Sequence, residues 1–79
     1  MQRLVKTLEG DYFNPLAEKL LGVEVHNGMI RIHFESRWWV YAEWDPNGGV
    51  GWETFLELAD RLARWFNDEC PGDPPTLED

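Results

Sequence analysis

From Val23 to Trp44 the chain VEVHNGMIRIHFESRWWVYAEW alternates between apolar and polar positions. Val23 and Val25, then Ile30, Ile32 and Phe34, then Trp38, Val40, Ala42 and Trp44 carry the apolar beat. A period of two predicts strands with one buried face. Asn27-Gly28 separates the first two runs, and both residues tolerate the positive φ of a two-residue type I′ turn. With that turn, His26 faces Met29, Val25 faces Ile30, Glu24 faces Arg31 and Val23 faces Ile32. A three-residue loop Glu35-Ser36-Arg37 then sets Phe34 against Trp38, Ile32 against Val40 and Ile30 against Ala42. A two-residue loop would pair His33 with Trp38 and send side chains to the wrong face, because a one-residue slip inverts a strand. The prediction is a three-stranded antiparallel meander.

The flanks read as helix. Leu4, Val5, Leu8, Tyr12, Leu16 and Leu20 recur at steps of three to four, which predicts helical segments over Gln2–Glu9 and Pro15–Leu21. Asn14 is a suitable N-cap, Pro15 suits a first helical position, and Gly22 suits a helix stop. After the breaker run Asp45–Gly51, a stripe of Trp52, Phe55, Leu56, Ala59, Leu62, Ala63 and Phe66 predicts a long helix that Pro71 ends. Glu57–Arg61 and Asp60–Arg64 are candidate i,i+4 pairs along it. Leu58 and Trp65 fall off the stripe and are read as widening the core contact. The expected fold is α+β in the order α-β-β-β-α, with both flanking elements covering one face of the sheet. Residues 1–70 form one domain, and 71–79 are expected to be a disordered acidic tail.

Composition sharpens this picture. A chain of 79 residues buries only about 60% of its unfolded surface, so its five Trp, four Phe and two Tyr must supply much of the core. A single cysteine excludes an internal disulfide and fits a reducing, cytoplasmic setting. No apolar run approaches the ~20 residues of a membrane span, and the N-terminus lacks the apolar core of a signal peptide. The net charge is −8. It is concentrated in the C-terminal half, while residues 1–22 carry three charges of each sign. Such a chain is a poor ligand for nucleic acid, whose binding needs cations against phosphates. It suits a protein partner with a basic surface.

No constellation for catalysis, cofactor or metal emerges. His26 and His33 share the polar face but are expected roughly 13 Å apart, too far for one metal ion. Asp45-x-Asn47-x-Gly49 opens like a calcium loop, yet Val50 stands where the sharp-turn glycine is needed and Leu56 where the bidentate acid is needed. Gly48–Gly51 before the helix is not followed by Lys, and Glu53 would repel a phosphate there. Ser36 has no base partner. Cys70 sits among carboxylates at a helix C-terminus, which raises a thiol pKa and works against a nucleophile.

What remains is binding. The register places Arg31, His33, Trp39, Tyr41 and Glu43 on the open sheet face, with residue types enriched at hot spots. Glu53, Glu57, Asp60, Asp68 and Glu69 supply an acidic field. In size, acidity, aromatic load and lack of catalytic groups, the chain resembles the small phage-encoded inhibitors of the anti-CRISPR kind. That resemblance implies a protein that occludes a basic nucleic-acid-binding surface of a defence complex such as a CRISPR effector. It would act as a monomer or weak homodimer. A toxin-neutralising immunity-type protein, or an assembly protein that self-associates through the open sheet face, is the alternative.

Overall fold

A computed structural model describes residues 4–76. They form β1 (Val5–Lys6), β2 (Tyr12–Phe13), β3 (Leu20–His26), β4 (Met29–Phe34), β5 (Trp38–Glu43) and α1 (Trp52–Asn67). β3, β4 and β5 make an antiparallel sheet in sequence order, and β1 pairs with β2 in a separate two-stranded hairpin. The fold is thus a mixed α+β domain with two sheets and a C-terminal helix, and among the described residues there are no N-terminal helices.

That is a correction to the α-β-β-β-α order, and its cause is local. Thr7 closes a turn instead of continuing a helix: its N–H donates to the Asp11 carbonyl (2.7 Å), and its Oγ1 accepts from the Asp11 N–H (3.0 Å). Gly10, at φ +96°, takes the left-handed conformation this turn requires. Alternation then governs, with Val5 and Thr7 buried while Leu4, Lys6 and Leu8 are exposed. Asn14 also works as a turn former. Its Oδ1 accepts the Leu16 N–H (2.9 Å) and its carbonyl accepts the Ala17 N–H (3.1 Å). No helix propagates, because segments shorter than about 12 residues need packing to persist, and the chain enters β3 at Leu20. Of the expected helical stripe, Leu4, Leu8, Tyr12 and Leu16 are more than half exposed, whereas Val5 is fully buried and Leu20 partly so. The remainder of the Gln2–Glu9 expectation, at Gln2 and Arg3, lies outside the described residues.

The β3–β4 register is the expected one from Val23↔Ile32 to His26↔Met29, turning at Asn27 (φ 51°) and Gly28 (φ 75°). The β4–β5 register agrees only at its far end. Ile30 pairs with Ala42 as expected, but Arg31 pairs with Val40, Ile32 with Trp39 and His33 with Trp38. Phe34 donates to Arg37 (2.8 Å) around a two-residue Glu35-Ser36 turn. The Phe34–Trp38 and Ile32–Val40 pairings of a three-residue loop are therefore replaced. A β-bulge reconciles the two ends, since it absorbs one extra residue at Tyr41 and lets the short turn coexist with the Ile30–Ala42 pair.

Helix α1 covers the sheet face that carries Ile30, Ile32 and Phe34. Its buried residues are Phe55, Leu58, Ala59, Leu62, Trp65 and Phe66, a stripe rotated from the expected one. Leu58 and Trp65 are core, as expected. Leu56 and Trp52 are not. Ile30, Ile32, Phe55 and Leu62 are fully buried, each worth roughly 1.5–3 kcal/mol of transfer free energy. The hairpin completes the core by adding Val5 and Phe13. It is held to the β5 edge by the Leu8 N–H, which donates to the Val40 carbonyl (2.8 Å).

Past α1 the chain turns through Glu69 and Cys70, both with positive φ (65° and 59°). Trp65 Nε1 donates to the Pro71 carbonyl (2.9 Å) and the Tyr41 hydroxyl to the Pro75 carbonyl. Leu77–Asp79, the end of the expected tail, lie outside the described residues.

Candidate functional site

Strand β4 sorts its side chains strictly, with Ile30, Ile32 and Phe34 buried and Met29, Arg31 and His33 on the opposite side. The short turn brings Trp38 opposite His33, and this sets the chemistry of the open face. The Arg31 guanidinium lies over the Trp38 ring, 4.7 Å from its centroid, a cation–π contact worth about 0.5–1 kcal/mol at an exposed site. Glu24, although it faces Arg31 across the strands, turns its carboxylate to His33, Oε1 to Nε2 at 3.0 Å. Among the described residues Arg31 therefore has no carboxylate in ion-pair distance, and its Nε is shielded from solvent without an acceptor. At the neighbouring corner Glu18 accepts from Arg37 Nε (3.3 Å) and from Ser36 Oγ (3.0 Å).

Trp39 and Tyr41 are not part of that face. Trp39 stacks on Phe13 at 5.8 Å with nearly parallel rings and packs against the core. Tyr41, at the bulge, is half-buried and tied to the tail; its burial pushes the phenol pKa above the ordinary tyrosine value. Glu43 is exposed at the end of β5, opposite Met29. Of the expected sheet-face residues, the structure brings Arg31 and His33 together and substitutes Trp38, half exposed, for Trp39. Sequence reasoning missed Trp38 because it assigned the longer turn.

The acidic residues sit on the other side of the molecule. Glu53, Glu57 and Asp60 are exposed at the i, i+4, i+7 spacing that aligns them on the outward surface of α1. Flanking the row stands Leu56, 40% exposed, and one turn before it Trp52, 39% exposed. Trp52 is held against Trp44 and Phe55 at ring distances of 5.0 and 5.6 Å. Asp60 also pairs with Arg64 (3.1 Å). Asp68 and Glu69, exposed as well, lie at the far end of the helix, roughly 22 Å from Glu53 at the α-helical rise. The cations Arg61 and Arg64 stand between the two groups. Since α1 covers the inner face of the sheet, its outward surface and the Arg31–Trp38 face point in opposite directions.

The remaining chemical candidates have structural roles. Asp45 Oδ1 accepts the Asn47 N–H (2.9 Å), and the Asp45 carbonyl accepts the Gly48 N–H (3.0 Å), so the calcium-like stretch is a hydrogen-bonded turn. Cys70 is buried, and burial raises its thiol pKa. Among the described residues no three His, Cys, Asp or Glu side chains group as metal ligands, and no helix is long and apolar enough to cross a membrane. No protein-family model matches the chain, and no match was found among curated proteins or solved structures.

Proposed function

We propose that the protein is a non-catalytic binding module that docks the outward surface of α1 on a basic surface of a partner protein and blocks what that surface binds. One observation carries this reading: Leu56 is exposed along the flank of the Glu53, Glu57 and Asp60 row, with Glu53 and Asp60 as its i−3 and i+4 neighbours. Carboxylates alone are the ordinary solvated side of a helix. A large apolar side chain left in water beside them, with Trp52 one turn away, is what a helix needs to anchor in a partner groove. The carboxylates steer encounter and raise the association rate, and Leu56 and Trp52 supply the desolvated contact. The resemblance to phage-encoded inhibitors supports a nucleic-acid-binding complex of a defence system, a CRISPR effector among them, as the partner class.

The test is capture from the organism that encodes the chain, followed by kinetics on the captured protein. A captured protein with a basic surface should lose nucleic-acid binding when the module is present. Glu53→Lys with Glu57→Lys should mainly slow association and flatten its salt dependence. Leu56→Ala should mainly speed dissociation, by about tenfold. Unchanged kinetics in both variants would sink the proposal.

A further inference from the structure

An apolar crevice of about 390 Å³ opens where the hairpin, β5, α1 and the tail meet. Leu4 and Leu8 on either side of β1, Ala42 of β5 and Leu58 of α1 line it, and Pro74 forms part of the tail wall. That wall is fixed in place by the Tyr41 hydroxyl, which donates to the Pro75 carbonyl. The volume is within the range of small-molecule sites, which are mostly apolar with a few polar groups that set orientation. It is more than twice the ~150 Å³ that suffices for a benzene in an apolar protein cavity, so an alkyl chain of about ten carbons fits with space left at the mouth.

Lys6 gives the site its polarity. It lines the same crevice, is exposed, and has no carboxylate within ion-pair distance among the described residues. Lys6, Lys19, Arg31 and Arg61 all stand without a carboxylate in ion-pair distance among the described residues, and Lys6 is the one of these four that lines the apolar hollow. We infer that the crevice binds a small amphiphile, a medium-length alkyl chain with a carboxylate head, the chain between Leu4, Leu8, Ala42 and Leu58 and the head at Lys6. This site shares no residue with the α1 surface and does not depend on its function.

The experiment is a titration of the isotopically labelled full chain with hexanoate, octanoate, decanoate and decanol, followed by methyl and amide NMR. Saturable shifts are expected at Leu4, Leu8, Ala42 and Leu58, with affinity rising about fourfold per added methylene. Lys6→Gln should weaken decanoate by about threefold and leave decanol unchanged. Leu8→Glu, at an exposed side chain whose backbone bond to Val40 is kept, should abolish binding of both. Non-saturating shifts, no dependence on chain length, or shifts centred on Trp52 and Leu56 would overturn the site. An equal loss of decanoate and decanol binding in Lys6→Gln would overturn the carboxylate head. If the same resonances move on raising protein concentration alone, a second copy covers the crevice and the inference fails.

Discussion

Adjacent tryptophans with opposite fates make the sharpest test of the fold. The bulge in β5 turns Trp39 toward the core and leaves Trp38 on the open face. Had the longer turn formed, the two would exchange places. Truncating a buried aromatic costs about 3–5 kcal/mol. Trp39 is partly buried and loses its stack on Phe13, so Trp39→Ala should cost about 2–3 kcal/mol. Trp38→Ala removes a cation–π contact with Arg31 and some surface packing, about 1 kcal/mol or less. In a domain of this size that is a fall in Tm of roughly 8–24 °C against less than about 8 °C. Trp39→Phe separates packing from polarity. The Trp39 Nε1 donor is buried without an acceptor, and an unmet buried donor costs about 1–3 kcal/mol. Phe keeps the stack and removes that donor, so the lost area and the relieved donor should nearly cancel. Urea unfolding monitored by circular dichroism gives all three values, with an unchanged m confirming that the folded state is the same. Equal losses in the two alanine variants, or a larger loss for Trp38→Ala, would refute the bulged register.

Glu69 holds a left-handed backbone (φ 65°) at an exposed position. Glu69→Gly should therefore stabilise the fold by about 0.5–1 kcal/mol in urea melts, since relief of the side-chain clash exceeds the added freedom of the unfolded chain; a lower midpoint would contradict the strain. Burial holds the Tyr41 phenol above its ordinary pKa. The unfolded chain thus ionises first, so the contribution is intact below pH ~10 and is lost as pH rises from there through the folded pKa. Urea midpoints from pH 8 to 11.5 should fall more steeply in the wild type than in Tyr41→Phe, and parallel curves would count against it.

The meander was legible because its signals are local and agree with one another. Asn27-Gly28 fixes one turn, and Val23, Val25, Ile30 and Ile32 fix which side is buried. The second turn was not legible, because a bulge trades one residue between turn and strand and leaves the same alternation on paper. The N-terminal segment misled for a different reason. Leu4, Leu8, Tyr12 and Leu16 match a helix, while Val5, Thr7 and Phe13 match a hairpin, and only packing against Phe34 and Trp39 decides between them. In α1 the existence of the helix was plain, but its buried side was not. Leu56 and Leu58 are both leucines, and nothing local says which one meets the sheet. That ambiguity hid the exposed leucine beside the carboxylates. Lys6 and the crevice were invisible for a related reason, since the hollow exists only where four separated segments meet.

The two-layer arrangement also divides the binding residues that the sequence pools together. Arg31 and His33 lie beneath the sheet when Glu53, Glu57 and Asp60 lie above the helix, so one flat partner surface cannot touch both sets. The acidic field decides which side approaches a basic partner, because the charge asymmetry turns α1 toward it and the Arg31 side away. Contact and steering then come from the same helix, and Trp38 remains in solvent in the complex. On this geometry Trp38→Ala should leave partner affinity unchanged, while Leu56→Ala lowers it about tenfold. Both side chains are exposed, so neither change should disturb folding enough to mimic a binding loss, and a melting curve on each variant verifies that. The opposite pattern, with affinity lost in Trp38→Ala and kept in Leu56→Ala, would move the docking surface to the open sheet and require a partner that brings a carboxylate to Arg31.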